Sequence, residues 1–377
     1  MSSSYERIFN LPLGPQHPAL KEPVLLDLKV EGEHVVDVAL DVSYNHRGME
    51  KAAEYRTYVQ DLYLIERICG ICNIAHTLSF CQCVEGLHGK EIPERAKYLR
   101  VIAEELERIQ SHLLWLGVAA HEIGFDTFFM YIWLDREISL DLMEEFAGNR
   151  ITTSYNAIGG VKRDMTPEVA NKMKKGMDKL EERVKFYKKV VLSERTVMKR
   201  TMGIGILRRD AAIQLNAVGP TLRASGVDMD ARADDPYAAH SLVPFKVVTD
   251  DGCDAFSRII VRLDETLESI NMIRYCIEKL PPGPLLQRLP RRVPAGDFLT
   301  RVEAPRGELV HFLRADGSDK PYRYKVKTPT FSNLAPLREM LRSKGKYVVN
   351  VADVPVILAS IDPCFSCTSR NEVVKSS

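Results

Sequence analysis

Two cysteine pairs stand near opposite ends of the chain, Cys69-Gly70-Ile71-Cys72 and Cys364-Phe365-Ser366-Cys367. A Cys-x-x-Cys pair can put two thiolates on one metal ion, and two pairs brought together make a four-sulfur site. The fold must therefore close distant parts of the chain onto one centre. For paired motifs of this kind the default is structural zinc or a simple four-thiolate iron. Structural zinc usually organises a small module, however, and here residues 73–363 lie between the pairs. Polar residues also crowd them, Arg67 and His76 beside the first and Asp362 before the second. Arg306, in Ala304-Pro305-Arg306-Gly307, lies in a loop just before a β segment, from which a guanidinium can reach a pocket. Together these features favour a redox-active or catalytic metal. Cys81, Cys83, Cys253 and Cys276 lack paired spacing and read as buried small hydrophobes.

The elements that must position the pairs begin with strands. Val24 to Val30 and His34 to Ala39 are β-branched, partly alternating runs around Glu31-Gly32-Glu33, which reads as a hairpin. Gly14-Pro15-Gln16-His17-Pro18 before it is a proline-stiffened loop, closely followed by Glu22. A helical pattern from about Lys51 to Arg67 delivers the chain to Cys69. Long helices follow. Tyr98, Ile102, Leu106, Ile109, Leu113 and Leu116 recur every three or four residues with charges between them, which predicts one amphipathic helix from Pro93 to about Ala120. Others are predicted over Trp133 to Phe146, from Thr166-Pro167-Glu168 to about Arg200, and over Asp254 to Leu280, ahead of Pro281-Pro282-Gly283-Pro284. The chain then returns to strands, Glu308 to Leu313 and Tyr322 to Lys327, around the turn signal Asp316-Gly317-Ser318-Asp319. A short helix, Leu334 to Lys344, precedes an apolar stretch, Tyr347 to Ile361, split by Pro355. The expected fold is α+β: a central bundle of long helices, with mainly β N- and C-terminal segments meeting at a buried metal site. One domain over 1–377 is expected, made of 1–90 with the hairpin and first pair, 91–284 with the bundle, 285–370 with the second pair, and a short tail, 371–377.

Composition narrows the function. With 377 residues and 45% apolar content the chain can bury a large core. Lys plus Arg is 52 against 51 for Asp plus Glu, so no charge excess points to nucleic acid or anionic lipid. No export signal or run long enough to span a bilayer stands out, so a soluble chain in a reducing compartment is expected, with its cysteines as thiols or ligands.

Arg67-Ile68-Cys69-Gly70-Ile71-Cys72 with His76, together with Asp362-Pro363-Cys364-Phe365-Ser366-Cys367, resembles the paired signature of the large subunit of nickel-iron hydrogenases. Arg47-Gly48-Met49-Glu50 and Ala304-Pro305-Arg306-Gly307 extend the likeness along the chain. The modest length, the Gly-Pro-x-His-Pro loop and the ending Thr368-Ser369-Arg370 are most similar to the membrane-associated, energy-converting branch (group 4). That branch shares its fold with the 49 kDa quinone-site subunit of respiratory complex I, whose members lack the four metal-binding cysteines.

The resemblance implies that Cys69 and Cys364 are terminal ligands of nickel, and that Cys72 and Cys367 bridge it to an iron carrying carbonyl and cyanide. It implies Cys364 as the thiolate that accepts the proton of dihydrogen, with Glu22 as the carboxylate behind it. Arg306 would lie over the open metal position or beside the diatomic ligands, where a fixed cation stabilises charge. His76 would donate to a bridging sulfur. Glu50 matches a residue that helps hold a second metal, magnesium or iron. Arg370 stands where many relatives place a histidine ligand, so Glu50 is equally open to pairing with an arginine such as Arg370. His17 reads as part of a structural loop near the electron-transfer partner. No further motif offers ligands for an iron-sulfur cluster. The implied partners are therefore an iron-sulfur small subunit, membrane-embedded ion-translocating subunits, a ferredoxin-type carrier (formate- or carbon-monoxide-linked in variants) and maturation factors. The implied place is peripheral, on the cytoplasmic side of the cell membrane. Asn371 to Ser377 would be either a small cleaved tail or a permanent one. The alternative is a non-hydrogenase respiratory relative, a sulfur-reducing or complex I-like coupling subunit. Retention of all four cysteines argues against it.

Overall fold

The computed structural model describes residues 8–368 and the backbone of 373–374, so Arg370 and its pairing with Glu50 lie outside the described residues. Strands β1 (Ile8–Leu13), β2 (Leu25–Glu31) and β3 (His34–Asp41) form an antiparallel sheet in that order. The β2–β3 pair is the predicted hairpin, turning at Gly32 in the left-handed region. Leu26, Leu28, Val30, Val35, Val38 and Leu40 are buried, so the alternating residues of both strands face one core. Short helices Leu334–Met340 and Val354–Ser360 pack into that core, together with Leu207, Ala212, Ala217 and Leu222.

Among the described residues five long helices make the centre: α1 (Asn73–His88), α2 (Glu94–Glu122), α3 (Asp126–Ala147), α4 (Pro167–Ser193) and α5 (Ala255–Glu278). Helix α2 packs against α3 and α5, and α4 closes on the same two. Helix α2 is not the amphipathic helix its spacing predicts. Arg100, Glu104, Glu105, Glu107 and Arg108 are buried along with its apolar positions. Such charges survive in a dry interior only when paired. Arg100 donates to both oxygens of Glu85, at 2.9 and 2.6 Å. Arg108 and Arg232 both donate to Glu105, and Arg223 joins Glu265 at 2.7 Å and Glu303 at 2.8 Å. The bundle thus carries an internal ion-pair network.

Strands β4 (Gly296–Ala304), β5 (Gly307–Ala315) and β6 (Pro321–Lys327) form a second, three-stranded antiparallel sheet, and its β5–β6 turn is the predicted one. Beyond it the C-terminal segment is not mainly β. Tyr347 to Ile361 contains the helix Val354–Ser360, because Pro355 falls in its first turn, where no intrahelical N–H is needed. The pattern from Lys51 to Arg67 is two helices, Met49–Ala53 and Tyr58–Ile65, the second starting at a Thr57–Gln60 capping box. Helix α4 stops at Ser193, where extended Glu194 caps a new helix, Arg195–Thr201. Cys253 is only half-buried, at a φ of 63°, unlike Cys81, Cys83 and Cys276. A final two-residue strand, Val373–Val374, pairs with the end of β3. Among the described residues no helix is long and apolar enough to cross a membrane.

Asp61, on the helix Tyr58–Ile65, is fully buried, and neither carboxylate oxygen has a hydrogen-bond partner. Burial pushes it up to about 8. Because its folded value is raised, the folded state keeps a proton that the unfolded chain releases from about pH 4 upward. The resulting penalty is absent at low pH, grows as pH rises, and is complete near the folded value. Asp61→Asn is therefore expected to stabilise the protein by on the order of 3 kcal/mol at about pH 7.5 and hardly at all at about pH 4. Thermal unfolding of both proteins across that range checks it, and a gain independent of pH would contradict it.

Candidate metal centre

The first cysteine pair bridges a short turn, Glu66–Ile68, and the start of α1, with Cys72 at the helix N-cap. Buried Glu107 of α2 fixes that start by accepting from the N–H groups of Ile74 (2.6 Å) and Ala75 (3.0 Å). The second pair follows the helix Val354–Ser360 through Asp362, which turns the chain at a φ of 54° before the 3-10 turn Phe365–Thr368. Arg47 holds the two loops together. Its guanidinium donates to the carbonyls of Arg67 (2.9 Å), Ile68 (2.6 Å) and Ser366 (2.7 Å).

The four sulfurs meet. Cys69, Cys72 and Cys367 Sγ all lie within 4.8 Å of one another. Cys364 Sγ is 3.7 Å from Cys69 Sγ and 2.7 Å from Cys367 Sγ. All four residues are buried. Cys69 is held well below the usual thiol range by hydrogen bonds with the Cys364 and Cys367 sulfurs, and its Sγ also accepts from the Ile71 and Cys72 amides. Burial pushes Cys367 up. Four converging sulfurs in a dry site repel as thiolates, and a polyvalent cation is what lets them all ionise. Soft thiolates suit nickel and iron, so the donor set fits the implied two-metal centre.

Arg306 sits in the β4–β5 turn. Gly307 (φ 126°) and Gly219 (φ 66°) let that turn lie against the neighbouring backbone, since a Cβ on Gly219 would come within 2.3 Å of Gly307 Cα. The buried guanidinium donates from Nε to the Asp362 carbonyl (2.9 Å), from Nη2 to Asp362 Oδ1 (2.8 Å) and from Nη1 to Ser111 Oγ (3.3 Å). Its charge acts on Cys364, Cys69 and Cys72. Glu22 reaches the second pair: its carboxylate accepts from the Phe365 N–H and from the Ser366 hydroxyl. Glu22, Arg306 and Cys364 line one cleft of about 250 Å³, walled by Leu114, Trp115, Val118 and Leu358.

His76, one turn into α1, is fully buried, and burial holds it down at about 4. Its Nδ1 is 3.2 Å from His311 Nε2, and the Tyr324 hydroxyl is 2.8 Å from His311 Nδ1. Sequence reasoning missed His311 and Tyr324. The signal was there, since His311 falls two residues from each of Leu309 and Leu313 and so shares their inward face of β5. Ser111 and the bridging action of Arg47 were missed too. Arg67 is a correction: its side chain turns outward, to the Tyr63 carbonyl and Glu66, away from the cysteines. His17 is exposed, its Nδ1 accepting the Ala19 N–H. Glu50 accepts from Lys325 Nζ (2.6 Å) and the Val326 N–H (2.9 Å), and Lys325 supplies a cation there already. Among the described residues these partners are hydrogen-bond donors, which make an ion pair rather than a set of metal ligands.

Residues 122–292 and 289–370 match the family described as the respiratory-chain NADH dehydrogenase 49 Kd subunit, and residues 47–118 match nickel-dependent hydrogenase. The chain is 40% identical over 378 residues to a subunit of the F(420)H(2) dehydrogenase of Methanosarcina mazei, covering 98% of this chain and 99% of that one. It is 37% identical over 367 residues to a carbon monoxide-induced hydrogenase of Rhodospirillum rubrum, covering 96% and 99%. It is 38% identical over 355 residues to a subunit of the NADH-quinone oxidoreductase of Clostridium beijerinckii, covering 94% and 95%. This chain therefore belongs to the family that unites the large subunit of nickel-dependent hydrogenases with the 49 kDa subunit of the respiratory-chain NADH dehydrogenase.

Proposed function

We propose that this chain is the catalytic subunit of an energy-converting nickel-iron hydrogenase. The reaction is the reversible heterolytic cleavage of dihydrogen, or its evolution from two protons and two electrons. The observation that carries this reading is the convergence of four buried cysteine sulfurs beside the Arg306 guanidinium. Relatives with dehydrogenase names are about as similar as those named hydrogenases, so overall likeness does not choose between the two classes. A coupling or sulfur-reducing subunit gives no role to four ionisable sulfurs gathered in one dry site. The cysteines favour the hydrogenase.

When bound, a nickel-iron centre with carbonyl and cyanide on its iron supplies the two-electron chemistry of dihydrogen. The chain supplies the rest. Cys69, Cys72, Cys364 and Cys367 would hold that centre through their thiolates. Cys364 Sγ takes the proton. Glu22, anchored on Phe365 and Ser366 in the same loop, receives it at a carboxylate oxygen facing the shared cleft. Arg306 stabilises negative charge at the centre, and the apolar cleft walls exclude water. The whole chain, 1–377, acts as one unit. Electrons pass through an iron-sulfur small subunit from a ferredoxin-type carrier. The complex sits at the cytoplasmic face of the membrane on ion-translocating subunits.

The complex purified from its native host is expected to contain nickel and iron in this subunit and to show carbonyl and cyanide infrared bands. Stoichiometric zinc without nickel would overturn the reading.

A further inference from the structure

Three polar side chains form a buried hydrogen-bonded row between α1 and the second sheet: His76 on α1, His311 on β5 and Tyr324 on β6. Each is at most 1% exposed. The rings lock one another, with His76 and His311 centroids 5.3 Å apart, and His311 and Tyr324 meeting edge-on at 5.4 Å. Phe80 meets the other side of the phenol edge-on at 5.7 Å. Neither imidazole can swing to another partner without opening the core. Among the described residues the Tyr324 hydroxyl has His311 as its one hydrogen-bond partner.

Only two proton arrangements satisfy both contacts while the rings are neutral. In the first, Tyr324 O–H donates to His311 Nδ1, His311 Nε2–H donates to His76 Nδ1, and His76 carries its proton on Nε2. In the second every donor is reversed, and His76 Nε2 is a bare lone pair. The reversed row leaves the phenol proton without an acceptor in a dry interior, a loss that the first arrangement avoids. Chemistry at the other end agrees. Nε2 is the nitrogen of His76 that His311 leaves free, and Cys69, whose charge acts on His76, belongs to a thiolate centre. In the field of thiolates a ring N–H is attractive, whereas a lone pair is repelled.

We propose that Tyr324, acting through His311, sets the tautomer of His76, so that His76 presents an Nε2–H donor to the sulfur centre. His311 and Tyr324 are positioning residues. They touch no ligand or reactant, and they reach the centre only through the proton order of this row. The consequence for the sulfurs rests on the proposed hydrogenase reading; the proton order itself does not.

Two measurements on the intact complex separate these. Solid-state NMR with ring-nitrogen-labelled histidine reads the tautomer whatever metal is bound, with the His76 signals identified by their loss in His76→Leu. The wild-type ring is expected to be protonated at Nε2, and Tyr324→Phe is expected to move the proton to Nδ1. A wild-type ring protonated at Nδ1, or a proton unmoved in Tyr324→Phe, would overturn the proposal without any variant having to be active. Infrared spectra then test the effect on the centre. Tyr324→Phe is expected to shift the carbonyl and cyanide bands with nickel content unchanged, and to cause no further shift in a His76→Leu background. An equal shift in that background would mean that Tyr324 acts on the centre by another route. Absence of such bands in the wild type would sink the hydrogenase reading and leave the tautomer to the NMR result.

Discussion

Replacing Glu22 by Gln is expected to slow dihydrogen turnover by about 10²–10⁴-fold, the usual worth of a positioned acid-base group, with nickel and iron content unchanged. Both oxygens of the wild-type carboxylate accept, one from the Phe365 N–H and one from the Ser366 hydroxyl. Gln keeps one acceptor and turns an N–H₂ toward a donor, so the variant loses both the proton carrier and part of its anchor. Ser366→Ala separates the two effects. It removes one hydrogen bond, leaves the carboxylate in the cleft beside Cys364, and is expected to cost far less than Glu22→Gln. Hydrogen–deuterium exchange catalysed by the complex is the direct readout. Exchange at the wild-type rate in Glu22→Gln would remove Glu22 from the proton path, and an equal loss in Ser366→Ala would make its role structural.

What the sequence revealed of this site was what short-range chemistry carries. The two Cys-x-x-Cys pairs and Asp362 announced themselves by residue type and spacing, whereas Arg306 read by itself as a loop arginine and was placed at the centre by the family resemblance; their sulfurs and charges lie together in the structure. Glu22 was legible only through the family resemblance, because nothing within a few residues of it indicates that it will meet Phe365. Long-range partners were invisible for the same reason. Arg47 reads as a loop arginine until three carbonyls from two distant loops converge on it. The charges of α2 read as a solvated face, since periodicity cannot tell water from a buried counter-ion such as Arg232 or Arg223. The helix Val354–Ser360 was missed because its apolar run fits a buried strand as well as a buried helix, and only the placement of Pro355 separates the two. Arg67, adjacent to the first pair in sequence, points away from it, so adjacency alone overestimated what surrounds the cysteines.

Arg306→Lys is expected to lower activity by about 10²–10³-fold with little loss of nickel, because lysine keeps the charge and loses the fork. The guanidinium does three things at once that one ammonium cannot. Two nitrogens hold Asp362, one at its backbone carbonyl and one at Oδ1, and a third reaches Ser111 on α2. Those bonds clamp the turn at Asp362, whose φ of 54° is unfavourable for a residue with a side chain, immediately before the second cysteine pair. Arg306→Met removes the charge as well. Asp362 is then left buried without its counter-ion, a loss of about 3–5 kcal/mol when one partner of a buried pair is deleted. The two variants therefore separate position from charge. Lysine should retain the fold and the metals and lose turnover, whereas methionine should lower the unfolding temperature and release nickel. Activity, nickel content and thermal unfolding of both variants decide it. Wild-type turnover in Arg306→Lys would mean that a cation anywhere near the sulfurs suffices. Equal nickel loss in both would mean that Arg306 acts by shaping the Asp362 turn and not by its charge at the centre.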